Sequence, residues 1–334
     1  MFYQKVKRKI QCLICPHQCI LQEGKAGICG VRYNIGGRIR NKQQGLLSSM
    51  AFDPIEKKPL YHFYPGAEIL SLGGFGCNLH CNFCQNWQIS QVAELDHLHG
   101  KIFTSAEVIA KALERPSNIG VAFTYNEPTV WFEFMHEVAS LAKGHGLKTV
   151  MISNGYINSA PLEALLPVID AFNIDLKAFT ENFYYEMAGG KLAPVLESLK
   201  LITNYKKHLE ITNLIIPNKN DNPEQFIEMV QWIRKELGKD TVLHLSKYFP
   251  RYKQNIHPTP EDTLIQFYEL AKKELNYVYL GNVHQSRYSS TNCPECNQVL
   301  IHRNGYKIQW EPAFDGKYCP NCKSPISLIY DIVT

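Results

Sequence analysis

Eleven cysteines constrain the fold of this 334-residue chain more than any other feature, because they fall into three separate groups. The groups hold four, three and four residues and lie at Cys12, Cys15, Cys19 and Cys29; Cys77, Cys81 and Cys84; and Cys293, Cys296, Cys319 and Cys322. An odd total and repeated Cys-x-x-Cys pairs argue against disulfides and favour metal ligation. The grouping predicts an N-terminal metal-binding module over 1–65, a central domain over 66–285 and a C-terminal module over 286–334.

The composition is that of a globular protein. Hydrophobic residues make up 45% and charged residues 20% of the chain, so it can bury a sizeable core. No apolar run approaches the roughly 18 residues needed to span a bilayer. A secretory signal has an apolar stretch after its basic N-terminal segment, and the basic N-terminal segment of this chain is not followed by one. We therefore expect a cytoplasmic protein with no membrane partner.

Between residues 66 and 283, β-like and helix-like stretches alternate. Seven short strands rich in β-branched and aromatic residues are predicted at Glu68–Leu72, Ile119–Thr124, Leu147–Ser153, Ala171–Leu176, Leu209–Ile216, Thr241–Ser246 and Tyr277–Leu280. Helices are predicted after the capping signals Thr104 to Glu107, Asn222-Pro223 and Thr259-Pro260. Six or seven βα units predict an α/β fold with a full or partial TIM-type barrel, and a doubly wound sheet is the alternative.

The central triplet, Cys77, Cys81 and Cys84, lies in a glycine-rich loop directly after the first predicted strand. Three thiolates can hold a [4Fe–4S] cluster, and three protein ligands leave the fourth iron open to a substrate or cofactor. A catalytic zinc site keeps an open position in the same way. The structural alternative is a zinc ion completed by His80 or by an N-terminal cysteine.

The C-x-x-x-C-x-x-C spacing, with the aromatic Phe83 before its last cysteine, resembles the signature of radical S-adenosylmethionine (SAM) enzymes. The resemblance implies that SAM chelates the open iron. It implies reductive cleavage of SAM to methionine and a 5′-deoxyadenosyl radical, which abstracts a hydrogen atom from the substrate. An electron donor such as flavodoxin or ferredoxin is implied as a partner.

The resemblance also implies cofactor-binding residues after the later strands. Glu127 stands where the family carries a Gly-Gly-Glu-Pro-like stretch that holds the amino group of SAM, with Asn126 in place of a glycine. Either residue could instead cap the following helix. Asp175 and Lys177 resemble an Asp-x-Lys pair that helps to hold the cofactor in relatives of pyruvate formate-lyase activating enzyme, and the alternative is a rim salt bridge.

Two residues of the sixth predicted strand are further candidates. Strand alternation aims His244 and Ser246 to the same side, where the active-site face of a barrel would lie. Ser246 is the weaker of our cofactor-binding candidates, and His244 is more simply explained as a core histidine. Asn282 follows the seventh strand at the same face. The sequence does not single out a catalytic residue.

The two flanking cysteine groups each offer four thiolates. Cys12, Cys15, Cys19 and Cys29 predict a turn-rich knuckle in which His17 could replace one cysteine. Structural zinc is the preferred interpretation there, and an auxiliary iron–sulfur cluster would accept the same ligands.

The C-terminal group is typical of a zinc ribbon. Two Cys-x-x-Cys pairs, separated by 22 residues, are Cys293, Cys296, Cys319 and Cys322. Asn304-Gly305 between them predicts a type I′ hairpin turn. The basic and aromatic residues of this module are too sparse to predict binding to nucleic acid.

The whole layout resembles the AmmeMemoRadiSam-system radical enzymes, relatives of pyruvate formate-lyase activating enzyme. The matching stretches are the N-terminal Cys-x-x-Cys-Pro-His-x-Cys run, the segment 53–63, the cluster loop through Trp87 and Tyr125 to Pro128. The resemblance implies hydrogen abstraction from a protein or peptide, as in activating enzymes, and partner proteins of that system. Modification of RNA or a small molecule is an alternative, and a zinc-bound adaptor that docks protein or RNA is the non-enzymatic one.

Overall fold

A computed structural model describes residues 2–92, 100–283 and 285–330 of the chain. None of the helices in these ranges has the length and apolar composition needed to cross a membrane. The N-terminal part is built of short strands, namely β1 (Tyr3–Val6), β2 (Lys9–Cys12), β3 (Ile20–Leu21), β4 (Arg32–Ile35), β5 (Arg38–Asn41) and β6 (Leu46–Leu47). Strands β1 to β3 form one antiparallel sheet, and β4 pairs with β5.

The central part contains one large sheet. Its strands and one short extra strand are β7 (Ser49–Pro54), β8 (Glu68–Gly73), β9 (Lys101–Ile102), β10 (Asn118–Phe123), β11 (Lys148–Ser153), β12 (Ala171–Asp175), β13 (His208–Ile215), β14 (Val242–Lys247) and β15 (Val278–Gly281). All except β9 join in the order β15-β14-β13-β12-β11-β10-β8-β7, and β9 pairs with β6. The seven strands predicted from the sequence are confirmed, each to within one residue at both ends.

Seven of the eight strands in the sheet run parallel, as expected for repeated βα units. The exception is β7, which lies within the predicted N-terminal module but pairs antiparallel with β8. Among the described strands, the edge strands β7 and β15 do not pair with each other, so the sheet stays open. The α/β fold with a parallel sheet is therefore confirmed, whereas a fully closed barrel is not formed.

Helices connect the parallel strands. They are α1 (Trp87–Ser90), α2 (Ser105–Leu113), α3 (Phe132–Gly144), α4 (Ser159–Leu165), α5 (Glu181–Phe183) with a π-helical continuation (Tyr184–Ala188), α6 (Leu192–Asn204), α7 (Pro223–Glu236) and α8 (Glu261–Lys272). The predicted caps are present on two of them: Thr104 and Glu107 form a capping box on α2, and the Asn222 side chain accepts a hydrogen bond from the Gln225 amide on α7. The hydroxyl of Thr259, before α8, instead donates to the Ile215 carbonyl and accepts from the Tyr248 amide.

The C-terminal part is a three-stranded antiparallel sheet of β16 (Thr291–Asn292), β17 (Val299–Asn304) and β18 (Lys307–Trp310). The predicted hairpin is present, with Asn304 opposite Lys307 and a two-residue loop of Gly305 and Tyr306. Only Gly305 has a positive φ, of 60°. A single positive φ at the first loop position is the type II′ pattern, so the predicted type I′ turn is wrong.

Candidate functional site

A cavity of about 520 Å³ opens at the carboxyl ends of the parallel strands. This size lies within the range of small-molecule and cofactor sites. Loops after β8, β10, β11, β12 and β15 contribute to its wall together with residues near the carboxyl ends of β13 and β14, as the convergence of strand ends in such folds predicts. Every residue of the predicted cluster and cofactor set lines it: Cys77, Cys81, Cys84, Asn126, Glu127, Asp175, Lys177 and Ser246.

The three central cysteines are not gathered as closely as the ligands of a single ion. Among the described residues, the only group of three or more Cys, His, Asp or Glu side chains with all ligand atoms within 4.8 Å of one another is the C-terminal one. Each thiolate of a cubane cluster binds a different iron, so its ligands stand further apart than those of one zinc. The residues of this loop therefore fit a [4Fe–4S] cluster.

The zinc alternative for the central loop loses its extra ligand as well. His80 lies next to Cys81 in the chain, but its Nδ1 is 2.7 Å from the Gln91 Oε1 and its side chain is exposed. His80 does not line the cavity, and no further cysteine among the described residues lines it. Three thiols, without a fourth cysteine or a histidine among the described lining residues, thus face the cavity.

Asn126 fixes the shape of the cluster loop. Its side-chain oxygen accepts a hydrogen bond from the Gly74 amide at 3.0 Å, and its side-chain nitrogen donates to the Gly76 carbonyl at 2.9 Å. Gly76 has a φ of 81°, and a Cβ atom there would lie 2.5 Å from the carbonyl oxygen of Cys29. Only glycine fits this position, both by conformation and by space.

Glu127 is buried and its carboxylate is fully engaged within the protein. Oε1 accepts from the Thr129 amide at 2.9 Å and from the Ser153 hydroxyl at 2.8 Å, while Oε2 accepts from the Asn154 amide at 2.8 Å. Burial raises the pKa of Glu127. The residue caps the short helix that begins at Pro128 and ties the loop after β10 to the loop after β11.

Asp175 and Lys177 form an ion pair in the cavity wall, with Lys177 Nζ 2.9 Å from Asp175 Oδ2. Burial disfavours the charge of Lys177, but the neighbouring Asp175 carboxylate outweighs burial and raises the pKa of the lysine. The two opposite charges therefore sit side by side at a surface that a zwitterion could contact.

The side chains of His244 and Ser246 lie in different environments. Ser246 and Asn282 line the cavity. His244 is buried and does not; its Nε2 lies 2.6 Å from Oε2 of the buried Glu210. The structure therefore places His244 in the core, in agreement with the interpretation of this residue as a core histidine.

A cluster of polar residues at the cavity wall was missed by the sequence reasoning. Lys57 and Lys58 line the cavity, and each Nζ lies 2.7 Å from one oxygen of Asp53. Tyr125, also in the wall, donates its hydroxyl hydrogen to the same carboxylate. Although burial opposes it, hydrogen bonding from these three groups lowers the pKa of Asp53. The segment 53–63 had signalled only a family resemblance, with no role at the site.

The flanking cysteine groups differ in geometry. The four C-terminal sulfurs all lie within 4.8 Å of one another, with Sγ–Sγ distances of 3.5 Å for Cys293–Cys322 and for Cys296–Cys319. The N-terminal set, Cys12, Cys15, Cys19 and Cys29, instead surrounds a second, small cavity that His17 and Arg32 also line.

Comparisons with known proteins agree with this geometry. The radical SAM superfamily profile matches residues 72–233, which include the cluster loop and strands β10 to β13. The uncharacterized protein MJ0808 of Methanocaldococcus jannaschii is 44% identical over 98% of this chain and 98% of its own length. The pyruvate formate-lyase-activating enzyme of Listeria monocytogenes is 26% identical over 48% of this chain and 66% of its length.

The fold is also found in a solved structure. Streptococcus suis SuiB bound to S-adenosylmethionine superposes with a TM-score of 0.50 and 16% identity, over 66% of this chain and 50% of SuiB. This likeness concerns the fold alone. The profile match and the activating-enzyme relatives support an enzyme over the purely structural adaptor considered above. The chain belongs to the same family as MJ0808, contains a radical SAM domain and is a radical SAM enzyme.

Proposed function

We propose that this enzyme abstracts a hydrogen atom from a protein or peptide substrate at the 520 Å³ cavity. The observation that carries the proposal is the set of three thiols, Cys77, Cys81 and Cys84, facing that cavity without a fourth cysteine among its described lining residues. When bound there, a [4Fe–4S] cluster supplies the electron that splits SAM into methionine and a 5′-deoxyadenosyl radical.

The chain's own residues would orient SAM by charge and by loop shape. Asp175 and Lys177 offer opposite charges 2.9 Å apart, which suits the amino and carboxylate groups of an amino acid. Ser246 adds a hydroxyl group in the same wall. Asn126 and Glu127 support the site through the backbone, since their side chains hold the cluster loop and the loop after β11.

An aromatic surface beside the cavity supports a large substrate. Trp87 follows the cavity-lining Asn86 and stacks on Tyr252, with ring centroids 5.2 Å apart and an interplanar angle of 16°. Trp87 is exposed, as is Phe249, which lies three residues before Tyr252 in the chain, although large apolar side chains are usually buried. Exposed aromatic residues of this kind are enriched at protein-binding surfaces.

Partner proteins follow from the same proposal. A flavodoxin or ferredoxin would deliver the electron, and the similarity to activating enzymes supports a protein substrate. The narrower assignment to the AmmeMemoRadiSam system, with its partner proteins, remains a prediction from the sequence motifs.

The first experiment tests SAM cleavage. The protein is reconstituted anaerobically with iron and sulfide, reduced with dithionite and supplied with SAM, and 5′-deoxyadenosine is measured. Wild type is expected to form it and Cys77→Ala to lose at least a hundredfold in rate. Cys322→Ser, in the C-terminal group, is the control that should keep activity. Equal product from wild type and Cys77→Ala would refute the cluster assignment.

The second experiment tests the substrate class. An extract of cells grown on deuterated medium is separated into protein, RNA and small-molecule fractions. Each fraction is added to the reduced enzyme together with SAM. We expect deuterium in 5′-deoxyadenosine only with the protein fraction, and loss of transfer after protease treatment. Transfer from the RNA or small-molecule fraction alone would overturn the proposed substrate class while leaving SAM cleavage intact.

For the C-terminal cysteines we propose a structural zinc ion. Four thiolates around one zinc at about 2.3 Å stand roughly 3.8 Å apart in a tetrahedron. The 3.5 Å separations of the two measured pairs support this ligand set. One zinc per chain is expected in the purified enzyme, and Cys319→Ser should lose it without changing the iron content. Iron and sulfide lost with Cys319→Ser, with no zinc in wild type, would contradict this assignment.

A further inference from the structure

The N-terminal cysteine group is arranged differently from a zinc site. Two thiolates bound to one zinc at about 2.3 Å can be at most about 4.6 Å apart, whatever the angle between them. Among the described residues, however, only the C-terminal group brings three or more ligand atoms within 4.8 Å of one another. No three of Cys12, Cys15, Cys19, Cys29 and His17 therefore stand close enough to share one zinc ion.

The four thiols surround a space whose other lining side chains are mostly apolar, apart from His17 and Arg32. Cys12, Cys15, Cys19 and Cys29 line it together with apolar side chains, which are Ile14, Leu21, Ile28 and Val130. Thiols spread around such a space suit a polynuclear core, in which each thiolate binds its own iron.

Arg32 supplies a second observation that points to an anionic group in this space. Its side chain is only 3% exposed and lines the cavity. Both terminal nitrogens donate to Glu133, at 2.7 Å each, whereas Nε is buried without a hydrogen-bond partner. A buried donor is costly when unsatisfied, and the sulfides or thiolates of a cluster would accept its hydrogen.

We infer that the N-terminal knuckle holds a second iron–sulfur cluster, ligated by Cys12, Cys15, Cys19 and Cys29, with Arg32 Nε donating a hydrogen bond to it. This replaces the structural zinc preferred from the sequence alone. The inference is independent of the substrate proposed above, because it concerns a metal centre outside the SAM cavity.

The position of this cluster is close to the central loop. The His17 Nε2 lies 2.7 Å from the carbonyl oxygen of Asn78, which is the neighbour of Cys77. The Cys29 carbonyl packs against Gly76, the other neighbour of Cys77. His17 and Cys29 of the knuckle thus contact the two residues that flank Cys77.

The test removes the central cluster and asks what metal remains. The triple variant Cys77→Ala/Cys81→Ala/Cys84→Ala is reconstituted anaerobically, and its iron, acid-labile sulfide and zinc are counted. We expect iron and sulfide in equal amounts, a charge-transfer absorption near that of iron–sulfur proteins, and a paramagnetic signal after dithionite reduction. Zinc without sulfide in this variant would overturn the inference, even if wild type still cleaves SAM.

Wild-type holoenzyme gives a measurement that does not depend on folding of the variant. Two [4Fe–4S] clusters and one zinc correspond to about eight irons per chain, whereas one cluster and two zincs correspond to about four. A count near four irons with two zincs would refute the second cluster.

Arg32→Lys tests the hydrogen bond. Lysine keeps the charge but lacks the Nε donor, so the second cluster should be retained and its reduction potential should become more negative in a spectroscopic titration. Arg38→Lys, an exposed change in the same module, is the control that should leave the potential unchanged. An unchanged potential with Arg32→Lys would contradict the role of Nε.

Discussion

Asn126 lines the cavity, yet both of its polar side-chain atoms bind the backbone of the cluster loop. The Glu127 carboxylate likewise accepts hydrogen bonds from Thr129, Ser153 and Asn154. These two residues were predicted as SAM contacts by resemblance, and their engaged atoms favour an indirect role. The family motif therefore led to two residues of the cavity wall, and their role in binding SAM stays a prediction.

Asn126→Ala should weaken retention of the central cluster. The variant loses two hydrogen bonds to a glycine-rich turn, each worth about 1 kcal/mol in net stability. We expect the iron count after gel filtration to fall by about half, and the SAM cleavage rate to fall about tenfold. Asn182→Ala, an exposed change in α5, is the matched control. If Asn126→Ala keeps full iron but binds SAM more weakly, Asn126 contacts the cofactor directly.

Exchange of the charges at Asp175 and Lys177 should separate cofactor binding from a simple rim ion pair. The double variant Asp175→Lys/Lys177→Asp keeps an ion pair but reverses the charges offered to SAM. We expect the Kd for SAM to rise about tenfold, which corresponds to about 1.4 kcal/mol. Equilibrium dialysis against the reconstituted enzyme measures it. An unchanged Kd would identify the pair as a rim salt bridge, which contributes under about 1 kcal/mol to stability.

Strand order explains why the element level was predictable and part of the site was not. The seven parallel strands and two helix caps follow from local patterns, and convergence of strand ends brought Asp175, Lys177 and Ser246 to one cavity. Lys57 and Lys58 reach it only because β7 adds to the edge of the sheet, antiparallel to β8. Long-range pairing of this kind has no signal in a single sequence.

The amino ends of β13, β14 and β15 are closed by buried polar side chains. Glu210 accepts hydrogen bonds from the backbone amides of Tyr61 and His62, at 2.9 and 2.8 Å. Arg303 of β17 donates to the Tyr61 carbonyl at 2.8 Å and lies 3.7 Å from the buried Glu56. At this end of the sheet, the charged side chains of Glu56, Glu210 and Arg303 are thus buried and contact protein groups instead of water.

Arg303→Met should destabilise the protein by about 3–5 kcal/mol, because it leaves the buried Glu56 without a compensating charge. The double variant Arg303→Met/Glu56→Gln should lose less than the single one, since the unpaired charge is gone. Urea unfolding followed by circular dichroism measures both. The exposed Arg287→Met is the control, with a change under about 0.5 kcal/mol. Equal losses for the single and double variants would disprove the charge-pair explanation.

His62 should make stability depend on pH. Burial lowers its pKa to about 3, and its ring lies between the Ser327 carbonyl and the Tyr279 hydroxyl. In the unfolded chain this histidine takes up a proton near pH 6.5, whereas in the folded chain it stays neutral. The free energy of unfolding therefore falls as the pH drops below about 6.5, by up to about 1.4 kcal/mol per pH unit.

Replacing His62 isolates that contribution. His62→Gln should be less stable at pH 7.5 but should show a shallower loss between pH 6.5 and 5, where carboxylates contribute less. Thermal midpoints at half-unit pH steps measure the slope, and the exposed His257→Gln should keep the wild-type slope. A slope in His62→Gln equal to that of wild type would exclude a neutral buried imidazole at this position.

The whole molecule carries its two small modules at opposite ends of the sheet. The N-terminal knuckle packs on the cluster loop at the carboxyl ends of the strands, through the Cys29–Gly76 contact. The C-terminal sheet packs at the amino ends, through Arg303 and the His62–Ser327 hydrogen bond. Sequence spacing predicted three cysteine groups, but neither their placement nor the sulfur separations, which depend on how distant segments pack.

This arrangement predicts that C-terminal damage affects stability and not chemistry. Cys319→Ser should lower the thermal midpoint by at least about 5 °C, equivalent to a few kcal/mol for a chain of this size. The Kd for SAM should change less than twofold at 20 °C, because the cavity is at the other end. Scanning calorimetry and equilibrium dialysis measure the two. A weakened SAM affinity with an unchanged midpoint would contradict this separation.

The contact between Gly76 and the Cys29 carbonyl leaves no room for even a methyl group. The backbone of Cys29, a residue of the N-terminal group, therefore also packs against the loop that carries Cys77 and restricts its conformation. If the knuckle collapses when its metal is missing, the central loop loses the surface that shapes it. We therefore expect loss of the N-terminal metal to lower the occupancy of the central cluster as well.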